Sequence, residues 1–256
     1  MPNYVKNVIK VTKNQEEFKK AVLDENGQFD FNRIIPMPKD LTITSGSGSY
    51  EPNIQEKSWK ASSEQVKYQK EMEMYFQENL TQAEFVDTMF HKVVAPRGES
   101  YSEYQLEAVI TMFKGFYNYK KYGYVDWYKF SVANWGTKWN ACESEVYKAN
   151  GNLCIEFDTA WSTPMGIWVE LAQEFDFTVA FADEDLGSNL GILVAKDGFI
   201  DDLDIFENWS LDARQVVALK IRGYEGYSLS EICEDYEIKI SDEDFENVEK
   251  TLQEYI

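Results

Sequence analysis

The run VDWYKFSVANWGTKWNACESEVYKANGNLCIEFDTAWSTPMGIWVELAQEFDFTVAFAD, residues 125–183, decides the fold. Its pivot is Asn150-Gly151. Asn-Gly between alternating runs predicts a two-residue hairpin, because both residues accept positive φ. The arms are Glu145–Ala149 and Asn152–Thr159. On the second arm Leu153, Ile155 and Phe157 share one face, and Cys154, Glu156 and Asp158 the other. Ser162 or Thr163 then caps a helix with Pro164 in its first turn and Ile167, Trp168, Leu171 and Phe175 on its inner stripe. Phe177–Asp183 follows as a strand with Phe177, Val179 and Phe181 on one face. Upstream, the aromatic run Tyr124–Ala133 reads as a strand, and WGTKW, 135–139, as a turn.

Working outward, YVKNVIKVT at 4–12 gives a first strand, with Val5, Ile9 and Val11 on one face and Lys6 and Lys10 on the other. Asn14 with Glu17 predicts a capped helix that Gly27 ends. Residues 29–38 read as a short extended edge because Pro36 and Pro38 lack ladder donors. SGSGSY reads as a loop. Three helices are expected across 60–121: about 62–79, one from Thr81, and one from Ser102 that Gly123 closes. His91, the single histidine, has no catalytic or metal-ligating partner near it in sequence.

This order predicts an α+β fold: a ferredoxin-like βαββαβ antiparallel sheet with a helical insertion after the first helix. Only one apolar face per strand is expected to be covered. The expected organisation is 1–38 plus 124–205 as the ferredoxin-like domain, 39–123 as loop and helical insertion, and 206–256 as an acidic helical extension. In that extension Ser210 and Ser228, the latter with Glu231, mark helix starts, and SDEDFENVEKTLQEYI a third helix.

The motifs MPNYVKN, IIPMP, YKFSVANWGTKWNA, IEFDTAWSTP and FADEDLG together resemble the YubB-type ferredoxin-like family of phage and plasmid proteins. The likeness spans the first 38 residues and about 125–191, with Tyr4 standing where the family usually shows Trp. It implies the ferredoxin-like fold and a mobile-element origin. It implies neither an established activity nor catalytic residues. The family pattern singles out a surface of Trp135, Lys138, Trp139, Asp158 and Trp161.

Charge supplies the functional expectation. The chain has 45 acids and 25 bases, a net of −20. Residues 176–256 alone hold 21 acids and 6 bases, a net of −15. Such a field repels nucleic-acid phosphates and anionic membranes and attracts basic surfaces. The last helix is too acidic to read DNA. The expected partner-binding surface is Asp183, Glu184, Asp185, Asp201, Asp202, Asp204, Asp242, Glu243, Asp244 and Glu246. The expected function is a non-enzymatic accessory protein that binds a host protein. Its acids would mimic nucleic acid and inhibit a defence nuclease such as a CRISPR or restriction effector. The alternatives are a single-strand binder using sheet aromatics, or an uncharacterised enzyme. No cofactor or metal is expected: DEDLGSNLG lacks a calcium-loop pattern, and Cys142, Cys154 and Cys233 show no paired spacing. No apolar run is long enough for a membrane span, so the expected place is the cytoplasm, the host's if the gene is phage-borne.

Overall fold

A computed structural model describes residues 3–45, 50, 52, 70, 73–74, 80–89, 102–202, 206–223 and 226–255. The expected helix at 62–79 lies mostly outside these residues. His91, Asp204 and positions 46–49 lie wholly outside them. The chain forms two compact units, Met1–Pro36 with Ser131–Ile256, and Met37–Phe130.

The first unit is built on one antiparallel sheet. Its strands are β1 (Tyr4–Val11), β2 (Cys142–Ala149), β3 (Asn152–Ala160), β4 (Phe177–Asp183), β5 (Leu190–Lys196) and β6 (Phe199–Asp202). The spatial order is β2-β3-β1-β4-β5-β6. Its first four positions are those of a ferredoxin-like βαββαβ sheet, with β3 inserted between β1 and β2. Asn150 and Gly151, at φ 51 and 81, make the hairpin turn that joins Ala149 to Asn152. Across the centre, Ile9 lies between Ile155 of β3 and Val179 of β4. β2, an edge strand, carries an irregularity between Cys142 and Glu145, and Glu143 there has φ 54.

Two helices belong to the ferredoxin-like core, α1 (Gln15–Val22) and the helix Met165–Leu171. They cover the face that carries Val5, Asn7, Ile9 and Val11. This face is lined with rings: Phe29 stacks on Phe157 at 4.5 Å, and Trp168 lies 5.9 Å from both Phe157 and Phe177. Phe18 of α1 meets Phe175 at 5.2 Å. Phe18, Phe29, Phe157, Trp168 and Phe177 are buried on this face.

The opposite face is also covered, contrary to the one-sided expectation. Helices Leu211–Ile221, Leu229–Asp235 and Asp242–Tyr255 pack on Val8, Ala180, Ala182 and Ile192 through Ala213, Val216, Val217, Ile232 and Val248. The strand residues here are small, which lets helices approach closely. Arg222 donates to the carbonyls of Tyr4 (3.1 Å) and Ala182 (3.4 Å), and Lys10 to that of Glu254 (3.3 Å). The extension is therefore a third layer of the unit.

Three local expectations are corrected. Residues 124–133 are not a strand: Trp127–Asn134 is a helix, started by Asp126, whose carboxylate accepts from the Lys129 N–H at 2.9 Å. Asn14 makes no side-chain cap and sits at φ 53, and the helix it precedes ends at Val22, with Gly27 in the turn beyond. Residues 31–33 form a 3₁₀ turn, capped by Asp30, which accepts from the Asn32 N–H.

The second unit holds helices Gln82–Met89 and Glu103–Tyr122 around Tyr50, Phe85, Met89, Val109 and Val125. Thr81 and Glu84 bond reciprocally at the first helix start, and Ser102 with Gln105 forms a full capping box at the second. Gly123, at φ 77, ends that helix. Asn118 donates to the carbonyls of Asp40 and Val125.

Candidate functional site

WGTKW and TAWSTP lie far apart in sequence and form the two sides of one corner. Two glycines make their approach possible. A Cβ on Gly166 would stand 1.8 Å from the Asn134 carbonyl oxygen, and one on Gly136 only 3.1 Å from the Met165 nitrogen. Ser162 Oγ donates to the Gly136 carbonyl at 2.5 Å, and Thr137 Oγ1 to that of Ala160 at 2.6 Å.

Beneath the corner lies a buried polar chain that periodicity does not reveal. Asn7 is fully buried in mid-strand. Its amide donates to Thr159 Oγ1 and to the Val5 carbonyl, both at 2.9 Å. Its oxygen accepts from Thr163 Oγ1 at 2.7 Å, and that hydroxyl in turn accepts from Trp168 Nε1 at 2.7 Å. Every member has a partner, so the chain fixes the 159–164 turn without leaving a desolvated orphan. A polar residue on an otherwise apolar strand face was the one available sign.

The corner's outer part is aromatic and charged. Lys138 Nζ lies 4.5 Å from the Trp139 ring centroid and 5.1 Å from that of Trp161, within cation–π range of both. Trp161 is 44% exposed and has φ 74. Left-handed backbone costs a residue with a Cβ on the order of 1–2 kcal/mol. The surroundings enforce it: the Trp161 N–H donates to the Asn3 carbonyl (2.9 Å), and its carbonyl accepts from Asn189 Nδ2 (3.1 Å). Asn3 Nδ2 also donates to Asp185 Oδ2 at 2.9 Å, which ties a carboxylate to the same corner.

The five residues singled out by the family pattern separate here. Lys138, Trp139 and Trp161 meet. Trp135 is 3% exposed and is no surface residue: its ring lies 5.5 Å from Phe31, and Nε1 donates to the Ile35 carbonyl. Asp158 lies on the other sheet face, 3.5 Å from Lys6, which also approaches Glu156 at 3.9 Å. Burial raises the Asp158 pKa, against the lowering pull of Lys6 and Arg222. Asp158 is opposite Lys6 and Asp183 opposite Val5 on β1, so the two carboxylates sit on opposite faces and form no acid–base pair.

The acids fall on three elements. Asp183 is 7% exposed, and burial raises its pKa. It accepts from the Asp185 N–H at 2.9 Å and shapes the turn rather than facing a partner. Glu184 lies 3.9 Å from Arg222. Asp201 and Asp202 are on β6, opposite Val194 and Leu193. Asp242, Glu243, Asp244 and Glu246 crowd the start of the last helix, where carboxylates complement the helix dipole. Asp244 accepts from Ser210 Oγ at 2.8 Å. Among the described residues, no three His, Cys, Asp or Glu gather as a metal ion would require. The three cysteines form no disulfide among the described residues, and no described helix is long and apolar enough to cross a membrane.

No curated protein matches the chain. Among solved structures, a crystal structure of a protein Api92 from Yersinia pseudotuberculosis is 11% identical, covering 79% of this chain and 98% of that one with a TM-score of 0.37. Residues 134–216, from the end of the Trp127–Asn134 helix into the first helix of the third layer, match the family described as the ferredoxin-like domain in Api92-like protein, in keeping with the ferredoxin-like sheet of the first unit.

Proposed function

We propose that the protein is a non-enzymatic binding protein of mobile-element origin whose acidic helices occupy a basic, nucleic-acid-binding surface of a host protein. The observation that carries this reading is the outward side of the last two helices. Glu231, Glu234, Asp235, Glu237, Asp242, Glu243, Glu246, Glu249 and Glu254 are exposed there, against Lys239 and Lys250. Leu229, Ile232 and Val248 anchor the same helices in the core, so the charges are held on a firm support. Along a helix, side chains three or four residues apart stand about 5–6 Å from one another. A line of carboxylates at that spacing presents a regular negative edge to a channel built for phosphates. The acids reach beyond what the helix dipole uses, because Glu246, Glu249 and Glu254 lie past the first turn. The resemblance to phage and plasmid proteins supports a target among defence nucleases, CRISPR or restriction effectors foremost.

The test is cleavage inhibition. Purified effectors are assayed with the full chain across a salt series. Inhibition is expected to fall steeply with salt. A variant carrying Asp242→Asn, Glu243→Gln, Glu246→Gln and Glu249→Gln, verified as folded by circular dichroism, is expected to lose at least about tenfold in potency. Undiminished inhibition by that variant overturns the proposal, as does the absence of inhibition at low salt.

A further inference from the structure

We infer that the Trp139–Trp161 pair is a receptor for a lysine side chain of a partner protein, closed in the free chain by the chain's own Lys138. Three observations converge. One ammonium lies within cation–π reach of both indoles, at 4.5 and 5.1 Å from their centroids. Paired aromatic faces at such distances recognise alkylammonium groups. Lys138 makes no ion pair among the described residues, in a chain where acids outnumber bases 45 to 25. Its position is thus set by the rings rather than by a carboxylate. Trp161, the exposed ring of the pair, carries backbone strain that Asn3 and Asn189 hold in place. Strain kept on a displayed residue is a mark of a functional position.

The occupant follows from the present occupant. A site that accommodates a lysine ammonium and its stem fits a lysine from elsewhere. Asp185, tethered through Asn3 to the backbone that carries Trp161, adds negative charge to the same corner. The net charge of −20 draws cations toward it. Lys138 neighbours Trp139 in sequence, so its attachment makes it an intramolecular competitor, present at high effective concentration. An incoming lysine must displace it. Lone lysines then bind weakly, while a partner that adds other contacts succeeds. Lys138, Trp139 and Trp161 lie outside the acidic helices, so this proposal and the preceding one fail separately.

The experiment uses the full chain with 15N-labelled indoles, titrated with Nα-acetyl-lysine N-methylamide at fixed ionic strength. A sodium chloride titration and a tetramethylammonium titration run in parallel. The Trp139 and Trp161 indole N–H resonances report binding. Removal of the resident cation by Lys138→Ala is expected to tighten lysine binding on the order of tenfold, because the open site is then no longer a minor state. Trp161→Gly in the Lys138→Ala background is expected to abolish it. Lys138→Ala that is folded yet binds no tighter than the unmodified chain overturns the proposal. So does binding that survives Trp161→Gly. Tetramethylammonium binding without lysine binding overturns the assignment of lysine as the ligand.

Discussion

The two faces of the central sheet are built from different materials. One is packed with rings, Phe18, Phe29, Phe157, Trp168 and Phe177, and hides a single polar chain through Asn7. The other is packed with small and branched residues, Val8, Ala180, Ala182 and Ile192, under three helices, and ends in the ion pairs of Lys6. Rings fill the deep space beneath two short helices with few residues. Alanines let three helices lie close, at the price of little tolerance for added volume. The same sheet thus carries a rigid scaffold on one side and a charged layer on the other.

The largest expected effect is on the ring face. Trp168→Ala is expected to cost about 3–5 kcal/mol in urea denaturation, since it opens a cavity and leaves Thr163 without its indole donor. Asn7→Leu is expected to cost about 1–3 kcal/mol despite the same branching, because Thr163 Oγ1 loses its buried acceptor; a neutral result would mean the polar chain is incidental. On the other face, Ala182→Leu is expected to cost about 1–3 kcal/mol by overpacking, and limited proteolysis should then cut within 206–256 first. At the rim, Trp161→Gly is expected to be more stable than Trp161→Ala by about 1 kcal/mol in thermal unfolding, because only glycine relieves the φ of 74.

The smallest effect tests the ionic end of the second face. Burial raises the Asp158 pKa, so the folded chain binds that proton more tightly than the unfolded chain. Stability from this group therefore declines as pH rises from the ordinary carboxylate value through the raised one. Asp158→Asn removes that decline, and is expected to equal or exceed the parent by up to about 1 kcal/mol at neutral pH. A variant less stable than the parent at every pH would mean that Lys6 depends on this carboxylate. Glu231 behaves oppositely. Its bonds to the Ser228 N–H and hydroxyl lower its pKa, so its contribution is present above the usual carboxylate range and fades as pH falls through the lowered value.

Local signals in the sequence carried much of both units. Asn150-Gly151, the alternation of Leu153, Ile155 and Phe157, and the boxes at Ser102 and Ser228 act within a few residues, and the chain obeys them. The failures have physical causes. Tyr124–Ala133 is rich in aromatic and branched residues, which favour strands, yet one buried Asp126 starts a helix there. Whether a second layer covers a sheet face is a tertiary matter: Ala180 and Ala182 look merely small until Val216 and Val217 meet them. The corner was legible only as a set of motifs. Which indole is buried, and that Lys138 lies between the other two, depends on the approach of Gly136 to Met165.

The separation of β1 from its partners also has a kinetic consequence. Val5 pairs with Thr159 and Asp183, so the central strand of the sheet leaves the ribosome some 150 residues before its first neighbour. At synthesis rates of roughly 5–20 residues per second, that interval is on the order of ten seconds. Throughout it, β1 exposes Val5, Val8, Ile9 and Val11 with an unpaired hydrogen-bonding edge on each side. Closing the central strand between β3 and β4 therefore joins residues far apart in the chain, a non-local pairing of the kind that slows folding.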